Sequence, residues 1–211
     1  MSSAISRGFD HCVAIYPETI APEDFRVAWV RDFLTRVEGP RVLDLGCGKG
    51  RFLPYLGEGG RRAFGCDFSE AFLAAARVRG GGRLLRSDGQ ALGIRSGAFD
   101  ALLGVEVIEH MPDLAAGLRE AVRVLKPGGR LLLVDKNALA VADKLRNRLY
   151  ERFSPALRSM ARVTPDWGPF RERWMLPWKV TAALKGLCRE VSVRYAGPRW
   201  LSTFVAWEAL K

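Results

Sequence analysis

Residues 41–50 read Arg-Val-Leu-Asp-Leu-Gly-Cys-Gly-Lys-Gly, an apolar run closed by three alternating glycines. The run Arg41 to Leu45 reads as a buried strand. Gly46 to Gly50 reads as a loop feeding a helix that can kink at Pro54. Glycine serves a tight strand-to-helix turn for steric reasons alone, and it also lets a backbone approach a ligand closely. The dinucleotide fingerprint G-x-G-x-x-G breaks at Arg51, and no G-x-x-x-x-G-K-[ST] loop is present. NAD or FAD binding and nucleoside triphosphate binding are therefore disfavoured.

On the amino-terminal side, residues 22–37 read as a helix. Pro22 suits its first turn, and Phe25, Trp29, Phe33 and Val37 repeat at i, i+4 spacing. Downstream, short apolar runs alternate with helical patterns. Strands are predicted at Arg62 to Cys66, Arg83 to Arg86, Phe99 to Val105 and Arg130 to Asp135. Helices are predicted from Glu70 to Arg79, capped by Ser69, and from Asp113 through Leu125. Lys126-Pro-Gly-Gly129 reads as a turn. Such alternation implies a parallel sheet with helices on both faces, a doubly wound α/β sandwich. Glu190 to Tyr195 and Thr203 to Leu210 read as two more strands. Their connection is too short for a crossover helix, so that pair should be antiparallel.

In an open α/β sheet, ligands bind beyond the carboxyl ends of the strands. Three acids stand at such ends: Asp44, Asp67 and Asp88. Asp67 follows Gly46 by 21 residues, where an acid can accept both ribose hydroxyls of a nucleoside. Asp88 can accept a proton from an exocyclic amine. Asp67 and Asp88 each also have a plain structural reading, Asp67 beside the Ser69 cap and Asp88 in the turn Ser87-Asp-Gly89.

Composition narrows the class. Apolar residues make up 48% and charged residues 27%, which fits a folded globule rather than a disordered chain. The 211 residues suit one domain with a decoration. No apolar run reaches membrane-span length and no secretory leader is read at the start. Cys12, Cys47, Cys66 and Cys188 lack C-x-x-C spacing, so free thiols in a reducing cytoplasm are expected. Residues 1–135 hold 18 basic and 17 acidic side chains, whereas residues 136–211 hold 15 and 6. Five of the six tryptophans (Trp167, Trp174, Trp178, Trp200 and Trp207) also lie in that back third. The asymmetry favours an anionic partner for it.

Five stretches taken together resemble the class I S-adenosylmethionine (SAM) dependent methyltransferases, in the branch that includes the ubiquinone-biosynthesis O-methyltransferases. They are Val42 to Phe52, Gly65-Cys-Asp-Phe-Ser69, Ser87-Asp-Gly-Gln-Ala-Leu92, Phe99 to His110 and Val122 to Arg130. The resemblance covers residues 40–135. It implies a Rossmann-like, seven-stranded, mostly parallel sheet with the last strand antiparallel. It implies SAM as cofactor and S-adenosyl-L-homocysteine (SAH) as product. Asp44 and the backbone of Gly46, Cys47 and Gly48 then hold the methionine end, Asp67 the ribose, and Phe68 the adenine face. Asp88 and Gly89, with Gln90 beside them, read the adenine, and the backbone at Val105 and Glu106 lines the cofactor.

The fourth strand runs into Glu106-Val-Ile-Glu-His110, which in such a fold faces the transferred methyl. His110, Glu106 and Glu109 are the catalytic candidates, His110 as a base. The same letters resemble a Mg²⁺ or Zn²⁺ site in two relatives, the ubiquinone O-methyltransferases and the small-RNA 2′-O-methyltransferases. They recur in metal-free members, and the further histidine of the RNA enzymes has no counterpart after residue 110. No metal is assigned.

The expected organisation is a single domain. Its parts are a helical cap (1–39), a cofactor half (40–135), a basic, Trp-rich helical lid inserted between strands five and six (136–188), and a strand pair (189–211). In the lid, Val141, Leu145, Leu149, Phe153, Leu157 and Met160 keep a four-residue apolar step among arginines. Its arginines face water, an anionic substrate group or a lipid surface, while apolar positions of the lid and of the 22–37 helix wall the acceptor site. The leading reading is a SAM-dependent methyltransferase acting on a small-molecule or lipid-linked acceptor, with O-methylation slightly favoured. The alternatives are an RNA methyltransferase and a non-catalytic SAM-binding partner subunit.

Overall fold

The computed structural model describes residues 13–79, 83–140 and 174–211. Seven strands form one sheet: β1 (Arg41–Leu45), β2 (Arg62–Asp67), β3 (Arg83–Arg86), β4 (Phe99–Val105), β5 (Leu125–Lys136), β6 (Glu190–Tyr195) and β7 (Phe204–Leu210). Their order is β3-β2-β1-β4-β5-β7-β6. The first five run parallel to one another, and β7 runs antiparallel between β5 and β6. This is the Rossmann-like arrangement the alternation of apolar runs predicts.

Alternate residues of the central strands enter opposite apolar layers, as the period of two requires. Leu131 and Leu133 join one layer with Leu118 of α4 (Leu114–Arg123) and Leu184 of α5 (Pro177–Lys185). Leu132 and Val134 join the other with Val30 and Phe33 of α1 (Phe25–Leu34) and Leu56 of α2 (Leu53–Leu56). Covered on both faces, β4 buries all seven of its residues. Trp207 is fully buried, and its indole N–H donates to the Pro177 carbonyl and the Thr181 hydroxyl at 3.2 Å each. That bond satisfies the one polar atom of a large core side chain.

α3 (Glu70–Val78) and α4 begin on the predicted caps. Ser69 Oγ accepts the Phe72 amide at 3.2 Å, and Asp113 Oδ1 accepts the Ala116 amide at 2.9 Å. Elsewhere the structure departs from expectation. α1 starts at Phe25, not Pro22, because Asp24 Oδ1 takes the Arg26 amide at 2.8 Å and caps it there. It stops at Leu34, short of Val37. Its buried stripe is Val27, Val30, Phe33 and Leu34, whereas Phe25 and Trp29 pack on each other nearer the surface. The buried side of this helix therefore faces the sheet. Pro54 lies in the first turn of α2, where its missing N–H costs nothing, so it starts that helix rather than kinking it. The Lys126-Pro-Gly-Gly129 turn is an excursion within β5. Pairing with β4 passes from Leu125 to Arg130 across it.

α5 lies within the span 136–188 read as helical and leads directly into β6. The lid positions 141–173, including the arginines Arg146, Arg148 and Arg152 and Trp167, lie outside the described residues, as do His11, Cys12 and Gly80 to Gly82. Among the described residues no helix is long and apolar enough to cross a membrane.

Strand order reverses between β1 and β4, so their carboxyl ends splay two connections to opposite sides. A crevice opens there, and the glycine loop, the β2 tip and the Glu106 to His110 segment all converge on it.

Candidate functional site

The crevice is built first by backbone. Gly46, Gly48 and Gly50 all have positive φ (69°, 53° and 78°), a conformation other residues rarely adopt. A Cβ on Gly46 would stand 2.4 Å from Val107 Cγ2, so the loop is also too close to the β4 connection for any side chain. The Gly46 and Cys47 amides donate to the Cys66 carbonyl at 2.8 and 3.0 Å, tying the loop to the β2 end. Asp67 completes the tie, with Oδ2 accepting the Gly48 amide and Oδ1 the Ser69 amide, both at 2.9 Å.

Asp44, Gly46, Cys47, Gly48, Asp67, Phe68, Asp88, Gly89, Val105, Glu106 and His110 all line this one crevice. Tyr16, Phe72 and Met111 add apolar surface to its wall. Gln90 and Glu109 do not line it. Gln90 lies one layer behind, where its Nε2 donates to Asp88 Oδ1 at 3.2 Å and its Oε1 accepts the Asp113 amide at 2.7 Å. It thereby orients Asp88. Glu109 is buried and pairs with Lys136, Oε1 to Nζ at 3.0 Å.

Charge is unevenly satisfied around the crevice. Asp44 is 2% exposed, and its Oδ2 has no hydrogen-bond partner. Burial pushes its carboxyl up to about 8, opposed by Arg51 and reinforced by Asp67. An orphaned carboxyl oxygen on a residue lining a crevice is suited to a cationic ligand group. Cys47 is no nucleophile, because burial, with Asp44 and Asp67 nearby, pushes its thiol up.

The opposite wall is held by long-range ion pairs. Glu106 has φ 54°, the one non-glycine residue with positive φ among those described. Such a conformation costs about 1–3 kcal/mol and persists only where the surroundings enforce it. Here Arg26 Nη1 reaches Glu106 Oε2 at 2.7 Å and Arg51 Nη2 reaches the same oxygen at 3.5 Å. His110 sits beside Glu109, Nε2 to Oε1 at 3.4 Å. Burial, helped by Lys136 and opposed by Glu106, pulls its imidazole down to about 4. Because Glu106 turns to the two arginines and Glu109 to Lys136, the E-x-x-E-H carboxylates diverge. Among the described residues no three His, Cys, Asp or Glu side chains gather as metal ligands.

Arg26, Asp135 and Lys136 brace this wall from behind and are absent from the sequence-derived candidates. Arg26 is 80 residues from Glu106, so no local spacing announces it. Asp135 carries a readable signal, an acid at the tip of a strand.

Residues 43–133 match a family described as a methyltransferase domain. Over that span, less than half of the chain, it resembles the class I SAM-dependent methyltransferases. It is 31% identical over 110 residues to the ubiquinone biosynthesis O-methyltransferase of Bordetella pertussis, covering 49% of this chain and 46% of that protein. It is 40% identical over 97 residues to the demethylmenaquinone methyltransferase of Corynebacterium kroppenstedtii, covering 46% and 42%. The chain thus spans about half the length of the curated relatives it matches. A Thermotoga maritima SAM-dependent methyltransferase superposes over 98% of this chain and 99% of its own, with TM-score 0.66 and 19% identity. A magnesium protoporphyrin IX methyltransferase from Synechocystis, solved with SAH, covers 99% and 85% with TM-score 0.65 and 17% identity. At such identities these structures speak for the fold alone.

Proposed function

We propose that the protein transfers a methyl group from SAM to a small-molecule acceptor. The observation that carries this reading is Asp44, a buried carboxyl with an orphaned oxygen beside a glycine cradle. The cofactor's α-ammonium is a partner for it. Asp67 and Asp88, at the next two strand tips, suit ribose hydroxyls and an adenine amine, with Phe68 as an apolar wall. The quinone-methylating relatives support a small-molecule acceptor.

When bound, the cofactor supplies an electrophilic sulfonium methyl. The chain's own residues then do three things. The glycine loop and strand-tip acids fix position, which is the larger part of catalysis for an in-line displacement. Glu106, held by Arg26 and Arg51, shapes the opposite wall. His110 accepts the acceptor's hydroxyl proton. Held near 4 by burial and Lys136, its imidazole gains basicity as negative charge develops on an adjacent acceptor oxygen. O-methylation follows from that role. The excess of basic side chains after residue 135 suits an anionic or lipid-linked acceptor and contact with a membrane surface.

Calorimetry with SAH, followed by methyl-label transfer to fractionated metabolites and lipids, tests the reading. SAH binding should weaken about 5- to 150-fold on Asp67→Ala, the equivalent of about 1–3 kcal/mol for unpaired hydroxyls. His110→Ala should lower turnover roughly 100-fold while SAH affinity holds. Tight NADH binding without SAH binding overturns the assignment.

A further inference from the structure

The His110 segment has no cap of its own. The 3₁₀ turn Ile108–His110 follows Val107, which offers no side-chain acceptor to its amides. The acceptor comes from another strand. Val134 pairs with Val105, so the carboxyl end of β5 lies directly beside that of β4. The next residue, Asp135, is fully buried. Its Oδ2 accepts the Ile108 amide at 3.0 Å and the Glu109 amide at 3.3 Å, while Oδ1 accepts the Lys136 amide at 2.7 Å. Lys136 in turn reaches Glu109 Oε1 at 3.0 Å, and that same oxygen stands 3.4 Å from His110 Nε2.

We propose that Asp135 is a positioning residue, fixing through the Ile108 and Glu109 amides the turn that presents His110 to the crevice. The proposal rests on the methyl-transfer reading of that crevice. Asp135 does not line the crevice, so it touches neither cofactor nor acceptor. A carboxylate in a strand-end core is costly unless its lone pairs are used, and here three amides use them. An asparagine offers one acceptor oxygen where the carboxylate offers two, so it cannot serve both the turn and the Lys136 amide. A side chain that served only to fill the core would be replaced at no loss by an apolar residue.

The test uses the full chain, isotope-labelled, with Asp135→Asn and Asp135→Ala. His11 and His110 are its two histidines, so a His11→Gln background isolates the His110 imidazole resonance. Asp135→Asn should speed hydrogen exchange at the Ile108 and Glu109 amides roughly tenfold or more, as expected for lost charge-assisted bonds. It should also shift or broaden the His110 imidazole signal, with SAH affinity held within about threefold, since the cofactor wall is tied together by Asp67 instead. Asp135→Ala should exaggerate all but the last. If Asp135→Ala fails to fold, the asparagine variant decides. If neither folds, a trans-hydrogen-bond coupling from the Ile108 amide to the Asp135 carboxyl carbon reads the contact in the unsubstituted protein, and its absence overturns the proposal. Unchanged exchange and an unchanged imidazole also overturn it. So does loss of SAH affinity in step with amide protection, which marks a general structural role. Failure of the unsubstituted protein to bind SAH refutes the methyl-transfer reading separately, because the exchange and imidazole readouts need no ligand.

Discussion

The two walls of the crevice are made differently. The wall at the tips of β1, β2 and β3 is local. The glycines, Asp67 and Asp88 stand at or just after strand ends, where backbone amides bond the two acids, whereas Asp44, within β1, keeps an orphaned oxygen. The wall at the tips of β4 and β5 is assembled from a distance. Arg26 comes from α1, Asp135 caps a turn 27 residues earlier, and Glu106 holds a strained φ between two arginines. A ligand common to a whole family suits the first kind of wall. A wall built from remote ion pairs can be altered one contact at a time, which suits an acceptor that differs between relatives.

The sharpest way to break the local wall is Gly46→Val. Both the positive φ and the 2.4 Å approach to Val107 forbid it. Strain and overpacking together should cost about 3 kcal/mol or more, so SAH affinity should fall roughly 100-fold. Circular dichroism should show the sheet intact, and an undiminished affinity would mean the loop does not hold the ligand.

Arg26→Ala tests the distant wall. It leaves Glu106 with Arg51 alone and Asp24 without its partner. Loss of charge-assisted bonds at a half-buried site should cost about 2 kcal/mol, or about 4–8 °C in melting temperature. An unchanged melting temperature would show the pair to be ornamental.

In pH response the two walls are alike, because each rests on a buried carboxyl. Asp44 has its carboxyl raised to about 8, and Asp135, through burial against its amide bonds, is raised to about 7. A raised carboxyl means that the folded state binds more protons than the unfolded chain. Stability is therefore greatest at low pH on this account and falls as pH climbs from about 4 towards 8. Melting curves without ligand should show that decline between pH 5 and 8, and Asp44→Asn should flatten its upper part. SAH should offset the decline, since a bound ammonium favours ionised Asp44. A melting temperature that rises steadily across that range would contradict the raised values.

The smallest effect on SAH is expected from reversing Arg146, Arg148 and Arg152 together. Affinity for SAH should stay within about twofold, because the cofactor half is nearly neutral and self-contained. Binding to anionic vesicles should drop and lose its salt dependence, exposed charge being screened over about 8 Å at physiological ionic strength. Unaltered vesicle binding would leave those arginines a solvated face.

The sequence by itself determined the sheet and the first wall. Apolar runs of strand length, separated by helical periodicity, leave one economical layering, and the short final connection forces the antiparallel β7. Strand-tip acids are legible because each is read from its place at the end of its own strand, although Asp67 then reaches the Gly48 amide of another loop. What only the tertiary structure decided is everything that depends on two distant segments meeting. The helical stripe of Phe25, Trp29, Phe33 and Val37 gave way to Val27, Val30, Phe33 and Leu34, because Asp24 set the start of α1 and the smaller side chains fit the sheet. Glu106 and Glu109 stand where two relatives carry a metal site by resemblance, and Arg26, Arg51 and Lys136 draw the two carboxylates apart. Asp135 shows its role only when β5 is laid beside β4. Ion pairs act over a few ångströms of space and carry no periodicity along the chain, so no reading of one segment reveals its partner in another.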